Sequence, residues 1–250
     1  MSASKEPRPT ALVTGASRGF GRAIAAALHA KGARVVAVAR SAGPLSDLRD
    51  DLGDRLVPVV ADAADPVVAG TLVDRYQPDT LVLNAGAAPL PRPLQEHTWE
   101  TFSRNWDVDV RHTFHWLRAA LLEPLRPAST VVVMSSGAAL FGSPLSGGYA
   151  GAKSTIRFIT GYAADESARA GLGIRFVSVL PKLTPATDTG AMAVEAYARR
   201  NDMTVEAYLA EVGPGLSPEE VGKAIVQLVS AVEHEASAYL LTPAGPSPLP

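Results

Sequence analysis

The sequence predicts an α/β fold: a doubly wound parallel sheet of about seven strands with helices on both faces. Short apolar runs alternate with segments of helical period from residue 10 to residue 241. In runs such as Arg34 to Ala39, every position after the first is apolar, the pattern of strands covered on both faces. Glycine or small polar residues follow the runs, at the strand ends where sheets of this kind bind ligands.

Met1 to Pro9 holds two prolines and no apolar stretch and reads as a flexible lead. A first strand is expected at Thr10 to Thr14. A glycine-spaced turn follows and opens a helix from Arg22 to Ala30, in which Ala23, Ile24, Ala27 and Leu28 share a face and Lys31-Gly32 ends the element. Arg34 to Ala39 is the second strand, and strand, helix, strand in so short a span implies a right-handed crossover. The alternation continues with a helix around Leu45 to Leu52, a strand at Leu56 to Ala61, a helix at Pro66 to Tyr76 and a strand at Thr80 to Leu83. Pro89, Pro91 and Pro93 forbid regular structure before a long helix from about Trp99 to Leu122. A strand at Thr130 to Met134, a helix from Tyr149 to Ala170 and a strand at Ile174 to Leu180 come next. After an irregular stretch, a helix from Pro218 to Val232 and a strand at Ala238 to Leu241 complete the order. One domain over 10–242 is expected, with a substrate loop at about 182–217 and a proline-rich tail at 243–250.

Composition narrows the partners. Apolar residues make up 47% of the 250, charged residues 19%, and the net charge is -2, which creates no field for gathering nucleic acid or an anionic membrane. No stretch approaches the roughly 20 apolar residues that span a bilayer. Zero cysteines exclude disulfides, thiolate metal ligands and a cysteine nucleophile. The expected location is the cytoplasm. His97, His112, His115 and His234 have no metal-ligand spacing, so no metal is expected, and surface or core roles fit them.

The turn Thr14-Gly15-Ala16-Ser17-Arg18-Gly19-Phe20-Gly21 has G-x-x-x-G-x-G spacing, different from G-x-G-x-x-G and without the Gly-Lys-Ser/Thr ending of a triphosphate loop. It lets a strand turn sharply into a helix and leaves backbone N–H groups uncovered at the helix N-terminus, where phosphate is favoured. Gly15, Ser17, Arg18, Gly19, Phe20 and Gly21 are therefore candidate cofactor residues; a turn without a ligand is the plainer alternative. At the end of the second strand, where NAD enzymes carry Asp or Glu for the ribose hydroxyl, Ala39 is followed by Arg40. A guanidinium there suits a 2′-phosphate, and Arg18 can close on it from the other side. The expected cofactor is NADP(H) rather than NAD. Asp62 and Ala63, past the third strand, are placed for the adenine, and Asn84-Ala85-Gly86 lets the chain pass close beside the cofactor. Turn or cap roles are the alternatives for each.

Tyr149 and Lys153 stand four apart at a helix start, so their side chains share a face. An ammonium beside a phenol favours the phenolate and makes a general acid/base. Ser136, just after a strand, can hold a substrate oxygen. It lies outside G-x-S-x-G and no histidine is positioned to activate it, which argues against a hydrolase.

Taken together, Thr14-Gly15-x-x-x-Gly19-x-Gly21, Asn84-Ala85-Gly86, Ser136 and Tyr149-x-x-x-Lys153 make the chain resemble a classical short-chain dehydrogenase/reductase over roughly Thr10 to Leu241. The resemblance implies a Rossmann-type domain and an oxidoreductase acting on a carbonyl or secondary alcohol. Tyr149 would pass the proton while nicotinamide carries the hydride. Lys153 would bond the nicotinamide ribose, Ser136 would orient the substrate, and Tyr149, Lys153, Pro181 and a nearby threonine would touch the cofactor.

Two positions depart from the family's pattern. Where relatives commonly carry an Asn that feeds a water-linked proton relay from the lysine, this chain has Asp109. A carboxylate accepts from the same water but donates no amide bond, and its charge alters the surroundings of Lys153. Asn105, one helical turn earlier on the same face, is the candidate substitute. After the sixth strand, Pro181-Lys182-Leu183-Thr184-Pro185-Ala186-Thr187 replaces the common Pro-Gly, and Thr184 and Thr187 compete for the nicotinamide carboxamide.

The substrate side is read from Leu140, Phe141, Pro144 and Leu145, and from a helical lid carrying Met192, Val194, Tyr197, Met203, Tyr208 and Leu209. These suit an apolar ketone or alcohol, with core packing as the alternative. Trp99, Trp106 and Trp116 are expected as packing anchors. Val108, Phe114, Leu117, Leu121, Phe158, Ile159 and Tyr162 suggest a homodimer or homotetramer, although burial against their own sheet explains them too. A weakened NADP-binding sensor or scaffold, and a non-redox dehydratase or epimerase, remain as alternative functions.

Overall fold

The computed structural model describes residues 8–213, 215–231 and 236–250. His234, Val232 and most of the expected N-terminal lead lie outside the described residues. Seven parallel strands, β1 (Thr10–Thr14), β2 (Arg34–Ala39), β3 (Leu56–Val60), β4 (Thr80–Leu83), β5 (Thr130–Met134), β6 (Arg175–Pro181) and β7 (Ala238–Thr242), are joined by an antiparallel β8 (Gly245–Pro248). The order is β3-β2-β1-β4-β5-β6-β7-β8. The chain leaves β1 toward β2 and β3, then returns to place β4 on β1's other side. That reversal opens a crevice between the carboxyl ends of β1 and β4.

The helices are α1 (Gly19–Ala30), α2 (Ala42–Leu52), α3 (Pro66–Tyr76), α4 (Trp99–Asn105), α5 (Arg111–Leu122), α6 (Ala138–Phe141), α7 (Tyr149–Arg169), α8 (Asp188–Arg200), α9 (Val205–Val212) and α10 (Pro218–Ser230). Because successive strand residues point to opposite faces, Ala11 and Val13 join one core with Ile24 of α1 and Ile225 of α10. Leu12 joins the other, with Val73 of α3, Trp116 of α5 and Ile156 of α7. This is the expected doubly wound sheet, Rossmann-like.

The structure departs from the sequence expectations in four places. The proline-rich tail, for which no strand was expected, forms β8, pairing Leu240 with Ser247 and Leu241 with Pro246. Proline is tolerated there because an edge strand has one side without a partner strand. The irregular stretch after β6 contains α8 and α9, whose Val194, Ala198 and Tyr208 form a small core with Tyr197, Met203 and Leu209 packed against it. Those side chains pack on one another, the core role given as the alternative to a substrate lid. The long helix from Trp99 is broken by a π turn, Trp106–Val110, in which the Arg111 N–H reaches the Trp106 carbonyl five residues back. Finally, of the three tryptophans expected as anchors, Trp116 is fully buried, whereas Trp99 is exposed and stacks on Phe102, and Trp106 is partly exposed.

Candidate active site

Thr14 and Asn84 knit the crevice. The buried Thr14 hydroxyl accepts from the N–H groups of Asn84 (2.9 Å) and Ala85 (3.2 Å). Asn84 Nδ2 donates back to the Thr14 and Gly15 carbonyls at 3.2 and 3.3 Å. Gly15 and Gly21 allow this approach: a Cβ on Gly21 would stand 2.1 Å from the Gly15 carbonyl oxygen and 2.6 Å from Asn84 Nδ2. Gly15 (φ 66°) and Gly19 (φ 53°) take the left-handed backbone that turns β1 into α1. Among the described residues no side chain caps α1, which leaves its first N–H groups as donors for an anion. The turn therefore fits a dinucleotide's phosphates.

The element running α4, π turn, α5 presents a polar face to the strand ends. Asn105 Nδ2 donates to the Ala87 carbonyl at 2.8 Å, and Asp109 Oδ1 accepts from the Ala87 N–H at 2.7 Å. His112 hydrogen-bonds to the backbone of Ala85, and Trp116 Nε1 donates to the Ala63 carbonyl at 2.8 Å. One helix face thus holds the loops after both β3 and β4. Complete burial, helped by the charge of Lys153, lowers the His112 pKa to about 3, so this imidazole is neutral.

Lys153 reaches into the same space from α7. Its ammonium donates to the Met134 carbonyl at 3.1 Å, lies 3.3 Å from Asp109 Oδ2, and stands 5.6 Å from the centroid of the Tyr149 ring. Burial opposes the ammonium most strongly, but the Asp109 carboxylate, by charge and by hydrogen bond, and negative charge on the Tyr149 oxygen outweigh it, and the Lys153 pKa is raised. Ser135 donates its hydroxyl to the Lys153 carbonyl at 2.8 Å, which holds the Ser136 segment against the first turns of α7. The Ser136 hydroxyl accepts from the Ala138 N–H at 3.2 Å, and the Pro181 carbonyl accepts from Gly137 at 2.9 Å, so β6 braces the same loop.

The remaining candidates are distributed unevenly. Phe20 is partly buried against the α1 core, Ser17 is half-buried in the glycine turn, and Arg40 is exposed at the end of β2. Asp62 is exposed and accepts from the Ala64 N–H at 2.9 Å, a turn contact. Arg18, expected to face a phosphate, pairs with Asp188 at the head of α8 at 2.9 Å. Thr184 is buried, with its hydroxyl donated to the Leu216 carbonyl at 2.6 Å, and the Thr187 hydroxyl accepts from the Gly190 N–H at 3.2 Å as the cap of α8. Thr187 is the threonine beside the glycine turn, its methyl 3.6 Å from where a Gly19 Cβ would lie. Thr14 and His112 were not singled out for the site, because a Thr in a strand and a His in a helix carry no local signal of what faces them. Of the substrate-side residues, Leu145 is buried, whereas Phe141 is highly exposed.

The fold and this geometry define a Rossmann-like α/β protein with a tyrosine–lysine pair beside its crevice. The chain belongs to the short-chain dehydrogenase family, whose pattern, described as short chain dehydrogenase, matches residues 9–198. It is 36% identical over 128 residues to Carbonyl reductase (NADPH) 2 of Sus scrofa, an alignment covering 50% of this chain and 52% of that protein. The chain thus spans about half the length of that relative. It is 31% identical over 241 residues to Hydroxynaphthalene reductase-like protein Arp2 of Metarhizium majus, covering 90% of this chain and 84% of that one. Among solved structures, 3-ketoacyl-(acyl-carrier-protein) reductase from Brucella melitensis complexed with NADH superimposes with a TM-score of 0.77 at 23% identity, covering 94% and 96% of the two chains. That likeness speaks for the fold.

Proposed function

We propose that this protein is an NADP(H)-dependent oxidoreductase that interconverts a carbonyl compound and a secondary alcohol. The observation that carries the reading is the buried Lys153 ammonium 5.6 Å from the Tyr149 ring, in a fold whose glycine turn opens α1 without a side-chain cap. When bound, a nicotinamide cofactor supplies or accepts the hydride. Tyr149 gives a proton to the carbonyl oxygen, or takes it from the alcohol, and the adjacent ammonium steadies the phenolate that remains. Ser136 holds the same substrate oxygen by a hydrogen bond. Gly15, Ser17, Gly19, Phe20 and Gly21 cradle the phosphates, Asn84, Ala85 and Gly86 flank the cofactor, and Lys153 and Thr187 bond its nicotinamide half.

Two observations support NADP(H). Arg40 stands after β2 where a carboxylate would repel a 2′-phosphate, and the porcine relative has NADPH in its name. The Brucella structure holds NADH, so both cofactors belong in the test. Exposed Phe114, Phe158 and Tyr162 on the outer face of α5 and α7 support a second copy of this chain as partner. Exposed Phe141 beside the serine loop supports an apolar carbonyl substrate.

The test is consumption of NADPH and of NADH with a panel of ketones, run beside Tyr149→Phe. Ketone-dependent oxidation faster with NADPH, and lost by about 10²–10⁴-fold in the variant, is expected. Product formed without cofactor consumption would make it a non-redox enzyme, and cofactor binding with no turnover on any substrate a sensor.

A further inference from the structure

The two oxygens of Asp109 have different surroundings. Oδ1 accepts from the Ala87 N–H at 2.7 Å. Oδ2 is buried, lies 3.3 Å from Lys153 Nζ, and has no hydrogen-bond partner other than that ammonium among the described residues. The Asp109 and Lys153 side chains are 1% and 8% exposed. One turn earlier, Asn105 donates to the Ala87 carbonyl at 2.8 Å. A single side-chain amide contains both a donor and an acceptor. Here those tasks are divided, Asp109 accepting from Ala87 and Asn105 donating to it, and the division leaves one carboxylate oxygen facing the lysine.

We infer that Asp109 is the resident counter-ion of Lys153, a positioning residue that keeps the lysine charged and fixed behind Tyr149 while Asn105 supplies the donor that a carboxylate lacks. The catalytic consequence rests on the proposed proton-transfer role of Tyr149 and Lys153; the ion pair does not.

Among the described residues, the groups facing the ammonium are the Met134 carbonyl from β5, Asp109 from the π turn, Tyr149 from α7, and the neutral imidazole of His112 from α5. Burial is the strongest influence on Lys153 and acts against its charge; Asp109 is the largest influence in favour. With a neutral amide at 109, a dipole and the phenol would face that burial, and the lysine would release its proton at lower pH. A neutral lysine no longer steadies a phenolate, so the carboxylate extends the alkaline range over which the pair works.

The sign of the stability change follows by linkage. In the parent, the fold holds the lysine proton more tightly than the unfolded chain does, so the stabilisation is complete below the unfolded pKa and lost only as pH rises through the folded value. In Asp109→Asn the fold holds that proton less tightly, so the variant is weakest near neutrality and recovers as pH rises. The gap in Tm between parent and variant should therefore narrow between about pH 7 and about pH 10.

The experiment measures Tm against pH for parent and Asp109→Asn, and the pH profile of NADPH-dependent ketone reduction for both. A narrowing Tm gap, with the alkaline limb of the rate profile moved down by about one unit or more, supports the inference. A gap constant with pH overturns it, and a narrowing gap with an unmoved rate profile overturns its catalytic half. A narrowing gap in a protein that reduces no carbonyl supports the ion pair and removes the proposed function instead. Should Asp109→Asn fail to fold, the double variant Lys153→Met, Asp109→Asn decides: folding of the double supports the counter-ion role, and its failure places the need for Asp109 at Ala87 and overturns the inference.

Discussion

Two ion pairs in this molecule invite comparison. Arg18–Asp188 is the shorter, 2.9 Å, but its side chains are 77% and 70% exposed. Lys153–Asp109 is 3.3 Å and almost fully buried. The exposed pair joins the glycine turn to the head of α8 across a long sequence separation, and water and salt screen it. The buried pair sits in a medium where each charge has been stripped of water, so neither tolerates the loss of the other. Solvent, rather than distance, decides which pair the fold depends on.

Removing one charge at a time breaks the comparison most sharply at the buried pair. Lys153→Met leaves the Asp109 carboxylate buried without its counter-ion, and urea unfolding should show a loss of about 3–5 kcal/mol. His112, in the same interior, sharpens the contrast through pH. Its folded pKa of about 3 lies below the unfolded value of 6.5, so the unfolded chain takes up a proton that the fold refuses. Stability should fall with acid through that window by about 1.4 kcal/mol per pH unit from this group, and His112→Asn should flatten the slope. At the exposed pair, Asp188→Asn should cost less than about 1 kcal/mol, an effect that salt removes. The same change frees Arg18 and, if Arg18 serves a 2′-phosphate, should tighten NADPH binding severalfold in a fluorescence titration while leaving NADH unchanged.

Much of the architecture was legible along the chain. Continuous apolar runs located seven strands within a residue or so, because a strand covered on both faces has no alternation to obscure it. Tyr149 and Lys153 were visible as a pair because the α-helix itself sets the i, i+4 neighbour. The antiparallel β8 was not, since prolines argue against a strand unless the edge position is known. Thr184 and Thr187 were indistinguishable by spacing; the Leu216 carbonyl, far along the chain, draws one of them inward. Asp109 read as a departure from the family pattern, but its pairing with Lys153 depends on the π turn and on the packing of the π turn against α7.

The order of residues by itself determined the layers, the glycine turn at the crevice and the face shared by Tyr149 and Lys153, since these follow from local periods and backbone freedom. The tertiary structure decided which groups oppose one another across the layers: Asp109 against Lys153, Asn105 and His112 against the loop after β4, Arg18 against Asp188. Such partners come from elements far apart in sequence, and whether their charges are screened or dry is a property of the packed whole.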